Sequence, residues 1–595
     1  MYYKGIIFDL DNTLYNYTYC HTIALRTCIE YLCKNTQISD PKIFEAQYDR
    51  ISKQLKNELP GVASSHNKAI YFKQLLENLG LGLSDQFTNI HDLYWRTFYE
   101  NMKSYDGLYE FIEWNHKNEI KIGILTDYET EYQIVKLEKL GLLKFVDHIV
   151  TSEEVGIEKP SKQAFLTILN KMKLAPEHVL MIGDNYEKDI LGALEIGMKG
   201  LLFCPDSVPS TKVVTSYIVS YRELLHDTEK FHKKLLEFVE ISRYCGERFD
   251  LVQAGGGNVS VKIGDKMIIK SSGVHMANIT ATTGYSIIDN FSLKQDMQNK
   301  QQNKQQNQPN NNELDICKYI FMGSDSSQIC RQIRPSIETY MHSFLKTYTI
   351  HVHPIQVNRI LITKTARQQI TELFPDALIM DYYTPGLILS EEIMKIYKGE
   401  SVIFLINHGI IFTTDNYHEI RSLLEQVLEK CEQYQGLDFT KYKQTNRISQ
   451  YINHQETDIR VSNITYLSTN RDIYYFLENH RELFFEPHTF PDALIYCGMR
   501  ILEVHNSENL KREIDLYRKT YFEFPKIIIY HENFGSVLNS YIYIIANTYQ
   551  KCKEIEDVLL ANLWILYNNT EKQYLSESEI HYLNGWDAEK YRKTL

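Results

Sequence analysis

The sequence lacks any pair of cysteines at CxxC spacing: its ten cysteines are scattered through 595 residues. That excludes a cysteine-rich zinc site and argues against a disulfide framework, leaving inert thiols in a reducing compartment. It lacks a basic surplus, with Lys+Arg 64 against Asp+Glu 76 and a formal net charge of −12. A dedicated nucleic-acid binder is thereby excluded, because phosphate backbones are held through basic surface. Small phosphorylated metabolites, which need only a local cluster of donors, stay open. There is no uncharged apolar run of ~18 residues to span a bilayer. The N-terminus enters Ile6-Ile7-Phe8 without the basic-then-apolar order of a signal peptide. The expectation is a soluble, cytoplasmic protein with neither membrane nor nucleic acid as partner.

What is present is ordinary globular composition, 43% hydrophobic and 24% charged, on a chain long enough for three or four folded units. Over the first ~220 residues, short apolar runs at Ile6–Phe8, Ile122–Leu125, His148–Val150 and Val179–Ile182 alternate with amphipathic segments. That alternation predicts a doubly wound parallel sheet with crossover helices. Between the first two runs lies a stretch of helical pattern, for example Leu25, Cys28, Ile29 and Leu32 on one face. It is too long for a loop and predicts an inserted helical cap over about 16–105. A charged helix around Leu224–Glu240 leads to a second α/β unit over 235–437. A Gln/Asn/Lys tract at about 295–312 interrupts this unit and has almost nothing to bury, so it predicts a structureless insert. In the remaining region, 465–595, Ile529-Tyr530-His531-Glu532-Asn533-Phe534-Gly535 echoes Phe404-Leu405-Ile406-Asn407-His408-Gly409, each with a helix after it and Phe534 standing for His408. The echo suggests a degenerate half-domain related to the second unit; chance recurrence of a strand–turn–helix pattern is the competing reading.

Chemistry-bearing residues stand at the strand ends. Asp9 and Asp11 follow the first apolar run and, two positions apart on extended chain, face the same way. A carboxylate can attack a phosphoryl group if cations offset the charge, and a second one can protonate the leaving oxygen. Thr126 ends the second run, Lys159 lies in Glu158-Lys159-Pro160, and Gly183-Asp184-Asn185-Tyr186-Glu187-Lys188-Asp189 follows the fourth. Its oxygens suit magnesium, a hard cation. Singly, each residue reads as a cap or turn former; together and in this order, they do not.

This order of motifs resembles the haloacid dehalogenase superfamily over residues 1–222. The resemblance implies Asp9 as nucleophile, Asp11 as general acid/base, Thr126, Asp127 and Lys159 around the phosphoryl group, and Mg2+ on Asp9, Asp11, Asp184 and Asp189. The position of the cap resembles the members that act on small phosphorylated metabolites. Asp127 stands where the family more commonly has Asn.

In the second unit His351 and His353 of Thr349-Ile350-His351-Val352-His353-Pro354 share one face of a strand. His408, after the run Val402–Ile406, is a candidate third metal ligand, and three histidines with an open position suit catalytic zinc. Glu338 begins a helix whose apolar face is expected at Ile337, Met341, Phe344 and Leu345. Gly255-Gly256-Gly257-Asn258 and Ser271-Ser272-Gly273 supply close backbone approach and anion donors.

The succession Gly-Gly-Asn, Ser-Gly, Pro-Ser-x-Glu, His-x-His and Asn-His-Gly resembles the class II aldolase/adducin family. It implies Zn2+ or another divalent transition metal on His351, His353 and His408, Glu338 as acid/base, and Asn258, Ser272, Gly273 and Ser336 around a substrate phosphate. A homo-oligomer, such as a tetramer, is implied in the same way. The combined expectation is a bifunctional phosphatase and class II aldolase acting on a phosphorylated sugar. The alternatives are a dehydratase or epimerase on the same scaffold, or a non-catalytic adducin-like assembly module.

Overall fold

The computed structural model describes residues 3–205, 217–305, 315–320, 334–453, 463–506, 508–534 and 537–585. The chain divides into two units between His232 and Lys233.

The first unit carries a six-stranded sheet of β1 (Gly5–Phe8), β2 (Lys121–Thr126), β3 (His148–Thr151), β4 (Val179–Gly183), β5 (Lys199–Phe203) and β6 (Tyr217–Ile218). The order is β3-β2-β1-β4-β5-β6, with every pairing parallel. Both faces are covered, as a parallel sheet requires. Along β1, Ile6 and Phe8 pack into one apolar cluster while Ile7 packs into the cluster on the other face, with Phe165, Ile168 and Met172. Between β1 and β2 in the chain come the helices Tyr17–Asn35, Pro41–Glu58, Lys68–Asn78 and Leu83–Glu100, followed by Leu108–Lys117, which leads into β2. Three of them are capped by Asn16, Asp40 and Asn67, whose side chains accept from the first turn.

The second unit holds two sheets. The larger contains β7 (Asn258–Ile263), β8 (Lys266–Lys270), β9 (Tyr285–Asp289), β10 (Tyr348–Val352), β11 (Leu378–Met380), β12 (Val402–Leu405) and β13 (Gly409–Thr414), in the order β11-β12-β13-β10-β7-β8-β9. All its pairings are antiparallel except β11 with β12. The smaller contains β14 (Ile464–Leu467), β15 (Leu502–His505), β16 (Ile527–Phe534) and β17 (Val537–Ala546), in the order β14-β17-β16-β15. Its pairings repeat those of β10–β13 one for one: β14 with β17 and β16 with β17 antiparallel, β15 with β16 parallel. Alternate residues of β16 feed the two covered faces, Ile527 and Ile529 one, Ile528 and Tyr530 the other.

Several expectations need correction. The tract at 295–312 is helical as far as Gln305, in the helix Asn290–Gln305, and 306–312 lie outside the described residues. Gln, Lys and Met sustain a helix, and buried Leu293 and Met297 dock its first turns. Ile337 is 51% exposed and so stands off the apolar face assigned to it; the helix itself is short, Thr339–Phe344. In both members of the sequence echo a second strand, β13 or β17, precedes the helix. Among the described residues eight cysteines are free thiols, whereas Cys317 is disulfide-bonded, against the expectation of thiols throughout. Among the described residues no helix is long and apolar enough to cross a membrane.

Candidate active sites

In the first unit, the ladder fixes Asp9, whose N–H donates to Ile182 O at 2.9 Å just past the end of β1. Asn12 then takes φ 63°, a left-handed conformation that Asn tolerates. Thr126 closes β2, and Asp184 and Asp189 follow β4. The carboxyl ends of three neighbouring strands therefore deliver these groups to one place. Lys159 Nζ lies 2.5 Å from Asp9 Oδ1 and 2.6 Å from Asp189 Oδ1. All three side chains are buried. Against the cost of burial, Asp189 and Asp9 hold Lys159 protonated, well above the ordinary lysine range.

Oxygen ligands of Asp9, Asp184 and Asp189 lie within 4.8 Å of one another. Burial, together with the neighbouring carboxylates, pushes Asp9 well up and Asp184 up to about 6. Three crowded carboxylates with one lysine are short of positive charge, and their oxygens fit Mg2+. Asp127 Oδ1 accepts the Lys159 N–H at 3.0 Å, and Lys188 Nζ joins Asp127 to Glu158 at 2.9 Å each. Asp9, Asp127, Lys159, Asp184, Lys188 and Asp189 line a cavity of about 470 Å³ that extends to cap residues.

Sequence reasoning missed the group that holds Asp11. Lys136 Nζ lies 2.8 and 3.0 Å from its carboxylate oxygens, and Tyr15 OH donates to it at 2.5 Å. Gln133 Nε2 donates to Thr126 Oγ1 at 2.6 Å. The signal was legible: Gln133 and Lys136 occupy the same buried face of helix Thr130–Lys139 as Leu137, a position polar side chains take only with a partner.

The second site is built by antiparallel neighbours. His351 on β10 pairs with Asn258 of β7 on one side and Ile411 of β13 on the other. The turn between β12 and β13 thereby brings His408 beside the histidine pair. Asn407 there has φ 56°, and a Cβ on Gly409 would stand 2.6 Å from Val352 O and 2.7 Å from His353 Cδ2. Only glycine fits. His351 Nδ1 donates to Ile410 O at 3.1 Å, leaving the Nε2 lone pair free. His351 Nε2 and His353 Nε2 are 3.2 Å apart, and Glu338 Oε1 is 3.4 Å from His351 Nε2 and 3.5 Å from His408 Nε2. Those spacings match the edges, about 3.3 Å, of a tetrahedron with bonds of ~2.0–2.1 Å. Burial, with the nearby His408, pushes His351 down to about 3, and burial, with the nearby His351, pushes His353 down to about 4. They are neutral imidazoles, the form that binds a metal. His408 Nδ1 and Asn258 Oδ1 are buried with no hydrogen-bond partner. The donor set fits a divalent transition metal.

Asn258 Nδ2 donates to Glu338 Oε2, and burial raises the Glu338 carboxyl against the opposing histidines. Ser272 N–H donates to Arg334 O at 2.8 Å, setting Ser272 and Gly273 beside Ser336, whose Oγ accepts from Glu338 N–H at 3.3 Å. A Cβ on Gly255 would lie 3.4 Å from Gly273 O, and one on Gly256 3.3 Å from His353 Nδ1. All the residues expected here therefore converge. Lys270, buried at the end of β8, was missed; its Nζ holds Gly255 O at 3.0 Å. A third group, Glu503, His505 and His531, also has ligand atoms within 4.8 Å. Glu503 there is paired with Arg481 and hydrogen-bonded to His531 Nε2 at 2.6 Å.

The family model for haloacid dehalogenase-like hydrolases matches residues 3–197. That for the class II aldolase and adducin N-terminal domain matches residues 237–435. The chain is 33% identical over 202 residues to the ribulose-1,5-bisphosphate 5-phosphatase of Halopiger xanaduensis, spanning 34% of this chain and 84% of that protein. It is 32% identical over 197 residues to the glyceraldehyde 3-phosphate phosphatase of Methanocaldococcus jannaschii, spanning 33% of this chain and 82% of that protein. The solved N-terminal class II aldolase domain of a conserved protein from Thermoplasma acidophilum aligns at 24% identity with a TM-score of 0.28, over 33% of this chain and 92% of that one.

Proposed function

The chain belongs to the haloacid dehalogenase-like hydrolases through residues 3–197 and carries a class II aldolase/adducin domain at residues 237–435, and from this premise we propose that it is a bifunctional enzyme of sugar-phosphate metabolism. One site is a phosphatase working through an aspartyl-phosphate; the other is a class II aldolase. The observation that carries the proposal is the contact of Lys159 with both Asp9 and Asp189 on a cavity also lined by Asp11 and Asp184. The phosphatase relatives named above support the substrate class.

In the first site Asp9 attacks phosphorus and the P–O bond to the sugar breaks. Asp11 gives its proton to the departing oxygen, then takes one from the water that hydrolyses the aspartyl-phosphate. Lys136 and Tyr15 orient Asp11; Lys159 and the Thr126 hydroxyl hold the phosphoryl oxygens. Asp9, Asp184 and Asp189, with the Asp11 carbonyl, would hold Mg2+, which supplies charge neutralisation.

In the second site His351, His353 and His408 would hold the transition metal, which when bound would supply Lewis-acid polarisation of the ketose oxygen. Asn258, Ser272, Gly273 and Ser336 grip the phosphate. Glu338 moves the proton to and from the carbon whose bond to its neighbour is made or broken. The folded parts are taken as 1–222, 235–437 and 465–595, the last a half-domain related to the second, and the working form as a homo-oligomer. The two reactions act in sequence on a shared metabolite.

The test is phosphorus and proton NMR on a panel of ketose and aldose phosphates with Mg2+ and Zn2+. Phosphate release is expected to fall about 10⁴-fold or more in Asp9→Asn alone, and change of the carbon skeleton to vanish in His353→Ala alone. Phosphate release with no skeletal change on any substrate, and no retained zinc, would make the second unit a scaffold.

A further inference from the structure

The phosphatase cavity has a second polar end that the reaction at Asp9 leaves unused. Lys68 opens helix Lys68–Asn78 and is only 5% exposed. Its Nζ donates to His66 O at 3.3 Å, and among the described residues no carboxylate pairs with it. Three aromatic faces surround it, Tyr71, Tyr128 and Tyr17 at 5.0, 5.9 and 6.0 Å. A buried ammonium wants more acceptors than one carbonyl and aromatic faces supply. Two tyrosines on the same cavity are in a complementary position: the hydroxyls of Tyr48 and Tyr128 are buried and have no hydrogen-bond partner. Lys56 lines this end too. Burial and the nearby Lys136 and Lys56 lower Lys68 to about 7, a strain that an arriving anion relieves.

We propose that Lys68, Tyr48 and Tyr128 form a subsite for a second phosphate group, so that the substrate class of the phosphatase is a sugar bisphosphate. An ammonium and two hydroxyl donors satisfy phosphate oxygens, which in turn give the two unpartnered hydroxyls an acceptor and the ammonium a further one. A cavity of about 470 Å³ is in the range that encloses such a molecule. Lys159 meets the phosphoryl group that is transferred, and Lys68 meets the one that stays.

The inference rests on the phosphatase reading, and the experiment separates the two. Phosphate release is measured with Mg2+ from pentose and hexose bisphosphates, from the matching monophosphates and from 6-phosphogluconate. The full-length protein and its Lys68→Met, Lys68→Arg and Tyr48→Phe variants are compared. Lys68→Met is expected to raise KM for bisphosphates roughly 30-fold, far more than for monophosphates, with kcat changed much less. Lys68→Arg should recover part of the loss, and Tyr48→Phe, which removes only a hydroxyl, should raise the same KM roughly fivefold. Equal rises for mono- and bisphosphates would mean that Lys68 only supports the cap and would overturn the subsite. A selective effect on 6-phosphogluconate would make the second group a carboxylate and overturn it too. No phosphate release from any of these compounds by the unsubstituted protein would instead sink the phosphatase reading.

Discussion

The two candidate sites reach a similar end by opposite electrostatics. In the first unit most of the carboxylates already have a resident cation: Asp9 and Asp189 share Lys159, Asp11 has Lys136, and Asp127 and Glu158 share Lys188, while Asp184 has no ion pair of its own among the described residues. In the second unit Glu338 faces histidines that burial keeps neutral. The charge of the nearby Lys270 acts on Glu338 too, and on the reading proposed above a bound metal would supply the rest. Topology follows the same divide. A parallel sheet lends its residues from separate strand ends, so Asp9, Thr126 and Asp184 are far apart in sequence. An antiparallel sheet lends His351 and His353 from one strand and His408 from the neighbouring turn.

The largest effect that could break this contrast is metal removal. A chelator selective for transition metals, applied under excess Mg2+, is expected to cut the carbon-skeleton reaction about 10³-fold or more while changing phosphate release less than about twofold. Parallel loss of both activities would show that the sites do not differ in the metal they need. Next in size, Lys136→Met should lower kcat for phosphate release roughly 10- to 100-fold with a smaller change in KM, because Asp11 would lose the ammonium that aims it. A positioning role also predicts a changed acid limb of the kcat–pH profile. Equal loss in kcat and unfolding midpoint, with an unaltered profile, would make Lys136 merely structural.

The sequence made the strand-end residues of both sites visible because each motif is short and local: a carboxylate after an apolar run, two histidines on one strand face. It showed less of what holds them. Lys136 lies 125 positions from Asp11, and only the structure brings the two together. Lys270 attracted no reading, since nothing in the sequence marks that its ammonium turns back onto the glycine loop. Composition misled at 295–305, where polarity suggested no structure although Leu293 and Met297 anchor a helix. The echo between 404–409 and 529–535 read as strand–turn–helix in both copies, whereas a second strand, β13 or β17, stands before each helix. It could not show that β14–β17 repeat the pairing of β10–β13, since strand pairing leaves little trace in residue identity.

The smallest effect tests whether the resident ion pairs hold the first site at all. Glu158 is joined to His66 Nε2 at 3.0 Å and to Lys188 Nζ at 2.9 Å. Although burial opposes it, these partners hold its carboxyl down to about 2, from an ordinary 4.5. A carboxyl depressed on folding adds stability that is fully present above the unfolded value and is lost as pH falls from about 4.5 toward about 2. Glu158→Gln should therefore speed amide exchange in Ala63–His66 and the adjoining Lys159 segment roughly tenfold at pH 7 and at pH 5. At pH 3 the ratio of variant to unsubstituted protein should shrink, because the latter has by then lost much of the same contribution. Among the described residues the histidine site has no carboxylate–lysine ion pair of this kind, so its exchange should not respond to Glu158→Gln at any of these pH values. A ratio that stays constant through pH 3 would mean that packing, rather than the ion pairs, fixes the Lys159 segment, and the contrast between the sites would then lie in their metals alone.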